Sequence, residues 1–126
     1  MYKGSCNCGG VTFTVAGDLA PPSACHCGQC RKQSGHFWVS AGAEDEVLSV
    51  TDSGTLRWYA ASDIAKRGFC GTCGAFLFWK NPDESHTSVA LGALEKPTGL
   101  AISRHIFTAD KGDYYDLNDD LPKRAQ

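Results

Sequence analysis

Seven cysteines fall into three groups along the chain: Cys6 and Cys8; Cys25, Cys27 and Cys30; Cys70 and Cys73. No hydrophobic run constrains the fold as much as this spacing. The N-terminal stretch "MYKGSCNCGG" has no apolar run suited to a signal peptide. The expected location is therefore cytoplasmic, where thiols stay reduced and disulfides are rare. An odd count of cysteines argues the same way. Metal ligation is then the leading use for seven thiols.

The segment "CGTCG" (70–74) is a strong zinc-knuckle signal, because a two-residue gap lets both sulfurs face one tetrahedral ion. Gly71 and Gly74 permit the tight turn this needs, with backbone N–H groups free to point at the sulfurs. "CNCGG" (6–10) is a C-x-C pair, whose sulfurs project from one face if the backbone is extended. The two pairs together make a four-cysteine site that clips the N-terminal strand to the middle of the chain. Spacing alone allows another partition, with Cys27 and Cys30 joining Cys70 and Cys73 as a zinc ribbon. Either way three cysteines remain, and zinc with three protein ligands and an open fourth position is the catalytic pattern. Competing readings are a redox C-x-x-C, for which no βαβ context is visible, and iron on four thiolates. A third is a second structural site completed by a side chain such as His26 or His36.

With 126 residues and no evident linker, residues 1–126 read as one domain. A formal charge of -2 gives no reason to expect nucleic acid or an anionic membrane as partner. No apolar stretch approaches the roughly 18 residues of a membrane span.

"GVTFTVAG" (10–17) alternates Val11, Phe13 and Val15 with threonines, which predicts a half-buried strand. Further short β-rich runs lie at 36–42, 46–50, 55–60, 75–80, 86–92 and 101–108. One short turn of helix is expected after Cys30, in "CRKQSG". The acidic, Pro-stopped tail from about residue 109 reads as an extended wrap or a frayed end. The expected class is mainly β, with small packed sheets and glycine-rich corners. Phe37, Trp38, Trp58, Phe69 and Trp79 are expected in the core or a pocket wall.

C-x-C-G-G near the start, C-H-C-x-x-C-R-K-x-S-G at 25–35 and F-C-x-x-C-G at 69–74 together resemble the glutathione-dependent formaldehyde-activating enzymes, a family that includes centromere-protein-V-like domains. "RGFCGTCGAFLF" (67–78), "SRHIF" (103–107) and "DDLP" (119–122) follow in the expected order, so the likeness spans residues 4 to about 122. Tyr114 in "DYYDL" stands where many members have tryptophan. The resemblance implies a β-tent type fold of small antiparallel sheets around two zinc ions. It assigns Cys6, Cys8, Cys70 and Cys73 to a structural ion, and Cys25, Cys27 and Cys30 to a catalytic one.

The expected activity is a zinc-dependent carbon–sulfur lyase acting on a thiol–aldehyde adduct such as S-hydroxymethylglutathione. Seven thiolates would add seven negative charges to the formal -2, and two zinc dications return only four. An anionic thiol such as glutathione then needs local cations, and Arg31 and Lys32, directly after Cys30, can supply them. Two solvated surface charges are the competing reading for that pair. Ser34 and His36 are expected to line the same pocket. The other functions to weigh are a non-enzymatic zinc-binding interaction module and a thiol or redox sensor. The sequence leaves homodimerisation open.

Overall fold

The computed structural model describes residues 1–126. Ten strands and one short helix follow in the order β1 (Tyr2–Ser5), β2 (Val11–Val15), β3 (Ser23–Cys25), α1 (Gly28–Ser34), β4 (Trp38–Glu44), β5 (Leu48–Asp52), β6 (Leu56–Tyr59), β7 (Lys66–Cys70), β8 (Phe76–Lys80), β9 (His86–Ala90) and β10 (Arg104–Ile106). They form a three-stranded sheet, β1-β2-β5, and a seven-stranded sheet, β10-β3-β4-β9-β8-β7-β6. Every pairing is antiparallel except β10 with β3. The chain is thus mainly β, as the alternating runs predict. No helix is long and apolar enough to cross a membrane.

The two sheets meet through β2. Its inward side chains Val11, Phe13 and Val15 pack with Ala43, Leu77, Phe78, Val89 and the buried Cys6 and Cys70. Phe13 meets Phe78 edge to face at 5.2 Å between ring centroids. A second, smaller core holds Cys25, Cys30, Trp38, Phe76 and Ala90, with Trp38 stacked on Phe76 at 4.0 Å. Each cysteine cluster is therefore rooted in its own apolar core. Trp58 departs from the expectation of burial. It is 41% exposed on the outermost strand β6, where it stacks on Phe78 and lies under the Lys66 ammonium.

Gly4 is paired with Phe13 across β1 and β2. A methyl group at Gly4 would stand 2.3 Å from the Phe13 ring, which Phe78 holds from behind. Gly4→Ala is therefore expected to destabilise the fold by about 1–3 kcal/mol through overpacking. A lower denaturant midpoint at unchanged slope would register it.

The tail is an extended wrap. It runs beside β10 with a parallel bridge between His105 and Lys123. His105 N–H donates to the Pro122 carbonyl at 2.9 Å, and Arg124 N–H to the His105 carbonyl at 2.9 Å.

Candidate metal centres and the tail that flanks them

Cys6, Cys8, Cys70 and Cys73 place their sulfurs within 4.8 Å of one another. The C-x-C pair does not converge from an extended segment, as the sequence suggested. The chain turns after β1, with Gly9 N–H reaching back to the Cys6 carbonyl at 3.3 Å, and this brings Cys6 Sγ to 3.7 Å from Cys8 Sγ. Cys8 Sγ lies 3.6 Å from Cys70 Sγ. A tetrahedron of about 2.3 Å zinc–sulfur bonds has edges of about 3.8 Å, so this donor set fits that ion without rearrangement.

The knuckle that presents Cys70 and Cys73 is built as its glycines suggest. Gly74, at φ +78°, turns the chain so that its N–H meets the Cys70 carbonyl at 2.8 Å. The N–H groups of Val11 and Cys73 point at Cys6 Sγ and Cys70 Sγ, at 3.3 and 3.5 Å. The hydrogen bond with the Thr55 hydroxyl, then the Cys73 N–H, hold the Cys70 thiol down to about 6.

Cys25, Cys27 and Cys30 form a second cluster with sulfurs within 4.8 Å. The structure thus groups Cys6 and Cys8, rather than Cys27 and Cys30, with Cys70 and Cys73. Cys25 ends β3, and Cys27 caps α1, its sulfur accepting the Cys30 N–H at 3.3 Å. The helix begins at Gly28, two residues before the sequence placed it, because a cysteine sulfur does the capping usually given to Ser or Asp. Crowding splits the three thiols. Hydrogen bonds to Cys27 and Cys30, then burial, push Cys25 up, while hydrogen bonds with Cys25 and Cys30 pull Cys27 down. Three thiolates this close repel strongly, and a cation between them removes that cost. Soft sulfur donors suit zinc.

No histidine or carboxylate completes this cluster. His26, between two of its cysteines, is fully buried and faces away. Its Nδ1 lies 2.5 Å from the Tyr115 hydroxyl and its Nε2 lies 2.9 Å from His105 Nδ1. Burial, then repulsion from His105, lowers His26 to about 4. His36 Nδ1 is likewise engaged, 2.8 Å from the Tyr114 hydroxyl.

Residues 1–110 match the glutathione-dependent formaldehyde-activating enzyme family. The chain belongs to that family. An uncharacterized lyase of Schizosaccharomyces pombe is 27% identical over 125 residues, covering 92% of this chain and 85% of that protein. A crystal structure of a Rhodobacter sphaeroides protein is 27% identical, with a TM-score of 0.62 over 75% of this chain and 88% of that one. The family assignment and the lyase relative support a lyase-type function.

The residues expected around the second cluster are dispersed by the structure. Arg31 turns toward the tail, and its Nε donates to the Asp110 carbonyl at 3.1 Å. Lys32 lines a surface groove of about 580 Å³ with Gln29, Tyr59, Arg67 and Phe69. The Ser34 hydroxyl lies 2.7 Å from the carbonyls of both Cys30 and His36, which closes the end of α1. His36 packs between Phe37 and the tail tyrosines.

Two features were not found from the sequence. Arg67, 4% exposed on β7, donates from Nη1 to Cys30 Sγ at 3.4 Å and stacks over Phe76. A buried guanidinium against a thiol cluster balances part of its charge, and the only signal in the sequence is a cation three positions before Cys70. The other is the tail. Tyr114, Tyr115 and Asp119 lie beyond the family match, yet their side chains bond to His36, His26 and His105.

Proposed function

We propose that the chain is a zinc-dependent carbon–sulfur lyase that cleaves, or in reverse forms, a thiol–aldehyde adduct such as S-hydroxymethylglutathione. In this reading Cys6, Cys8, Cys70 and Cys73 hold a structural zinc, and Cys25, Cys27 and Cys30 hold a working one. The observation that carries it is the three-sulfur cluster with its neighbouring histidines turned away to other partners. Zinc bound there would offer an open position that favours a thiol in its thiolate form. Cleavage itself is simple in its balance. The adduct's hydroxyl loses its proton, the oxygen's electron pair closes the aldehyde C=O, and the carbon–sulfur pair leaves on sulfur.

The chain's own residues supply charge and placement. Arg67 donates to the Cys30 sulfur and offsets the excess negative charge of three thiolates. Lys32, in the same groove, meets a carboxylate of the incoming thiol. Arg31, Ser34 and His36 frame the tail side, where α1 and residues 108–115 approach each other.

Protein purified without chelator is expected to carry two zinc ions and to release aldehyde from S-hydroxymethylglutathione faster than solution does. One ion per chain, or mostly iron, would overturn the metal assignment. Full metallation without thiol binding or turnover would overturn the lyase. Arg67→Met is expected to weaken metal retention at the three-cysteine site by about 10–100-fold, the usual range for a partner behind a ligand. Chelator competition should find the four-cysteine site unchanged.

A further inference from the structure

One turn of the chain docks on both segments that carry the four-cysteine cluster. It is the turn from β5 to β6, residues 52–56, which also takes the chain from the three-stranded sheet to the seven-stranded one. Asp52 builds it: its Oδ1 accepts the N–H groups of Gly54, Thr55 and Leu56 at 2.8, 2.9 and 3.0 Å. On one side the Ser53 N–H and hydroxyl both donate to the Gly10 carbonyl, at 2.9 and 2.8 Å, which ties the turn to the segment holding Cys6 and Cys8. On the other side the Gly71 N–H donates to the Thr55 carbonyl at 2.7 Å, which ties it to the knuckle holding Cys70 and Cys73. Between these two anchors the Thr55 hydroxyl oxygen lies 3.4 Å from Cys70 Sγ.

Two of the motif glycines are explained by this docking and not by their own backbone. Gly9 and Gly74 have φ of +79° and +78°, a conformation that favours glycine. Gly10 and Gly71 lie outside that region. A methyl group at Gly10 would stand 2.6 Å from Thr55 Oγ1. One at Gly71 would stand 3.2 Å from the Thr55 carbonyl oxygen and 3.0 Å from Arg57 Cγ. Each cysteine-bearing segment therefore omits a side chain where Thr55 and its turn approach. Other donors to this cluster are main-chain N–H groups, such as those of Val11 and Cys73, whereas Thr55 brings a side-chain hydroxyl. A thiolate bound to a metal has no hydrogen to give, so the hydroxyl is then the donor.

We propose that Thr55 is a positioning residue of the four-cysteine metal centre: its hydroxyl donates to the Cys70 sulfur, and the turn that carries it holds the two halves of the donor set together. The proposal rests on the metal assignment above and is independent of the lyase chemistry. Cys8 and Cys70 are 62 positions apart and follow strands of different sheets, so no local spacing brings them into register. The turn supplies that register by bonding to the main chain of both segments. The Thr55 hydroxyl then orients one sulfur by engaging a lone pair that faces away from the other cysteines. A partner behind a metal ligand acts in this way, and its loss typically weakens metal binding by about 10–100-fold.

The test uses wild type, Thr55→Val and Thr55→Ser, loaded with zinc and separately with cadmium, which thiolates also bind. Thr55→Val keeps the branched shape and removes the hydroxyl. Thr55→Ser keeps the hydroxyl and removes the methyl group. Neither readout needs activity. Chelator competition should find metal held about tenfold or more weakly on Cys6, Cys8, Cys70 and Cys73 in Thr55→Val, and within about twofold of wild type in Thr55→Ser. The three-cysteine site should be unchanged in both. Cadmium NMR supplies the spectroscopic signature, with the signals of the two sites told apart by Cys27→Ser, which removes the three-cysteine one. The four-cysteine signal should move in Thr55→Val and return toward its wild-type position in Thr55→Ser, while the other stays fixed. A Thr55→Val protein that keeps its metal as wild type does would overturn the proposal. So would a Thr55→Ser protein that loses metal as readily as Thr55→Val, because packing rather than the hydroxyl would then be responsible. Equal loss from both sites would overturn it too, since that reports general loosening of the fold. A wild type that holds no metal on the four cysteines would instead overturn the metal assignment and this role with it.

Discussion

Cys70→Ser is expected to leave a chain that does not reach its native state. Cys70 is fully buried in the larger core, and its sulfur sits 3.6 Å from that of Cys8, 62 positions away in sequence. The cluster joins the end of β7, in the seven-stranded sheet, to the turn after β1, in the three-stranded sheet. A metal held there ties the two sheets together, and its binding energy is folding energy. Structural zinc contributes about 10–16 kcal/mol in apparent terms, against a net stability of about 5–15 kcal/mol for a whole domain. A serine hydroxyl is a poor ligand for a soft, thiolate-selected ion, and it is left buried beside three crowded thiols. The expected result is an insoluble or molten chain, with near-ultraviolet circular dichroism lost and zinc below one ion per chain. A Cys70→Ser variant that folds and melts like wild type would show that β2 and its apolar partners hold the sheets together without the metal.

The parts of the fold that were legible before the structure are those with a local signature. Val11, Phe13 and Val15 alternate with threonines, and β2 lies where that alternation puts it. The strands that escaped are those whose pattern is masked. β7 reads "KRGFC", and the charge on Arg67 hides a position that is in fact buried against Phe76 and Cys30. β3 is three residues long and buried throughout, so it shows no alternation at all. β1 is an edge strand in which Gly4 is buried under Phe13, a contact that no side-chain periodicity can signal. The cysteine clusters were half legible. Spacing fixes which sulfurs can pair locally, but the choice of Cys6 and Cys8 over Cys27 and Cys30 as partners of Cys70 depends on which strands meet. The link between His26 and Tyr115 spans 89 positions and rests on the tail folding back beside β10. Nothing near either residue in sequence announces the other.

The contrast between the two clusters gives the other large effect. Cys27→Ser is expected to stay folded, to carry one zinc fewer, and to lose lyase activity below detection. Cys25, Cys27 and Cys30 lie within six consecutive residues, so a metal there closes no long loop and adds little to the cohesion of the fold. Cys27 is the partly exposed member, while Cys25 and Cys30 keep their packing against Trp38 and Phe76. The substitution also suits the local backbone. Cys27 occupies the N-cap of α1 with φ -65° and ψ 158°, and serine is among the preferred residues there. Its hydroxyl can take over the Cys30 N–H that the sulfur now accepts, so the stability change should stay within about 1 kcal/mol. Function has no such substitute, because two thiolates and a hydroxyl hold zinc weakly and leave no defined open position. Thermal melting, elemental analysis and turnover on the same preparation decide it. If Cys27→Ser unfolds as severely as Cys70→Ser, the second cluster is a structural clip, and the lyase proposal loses the observation that carries it.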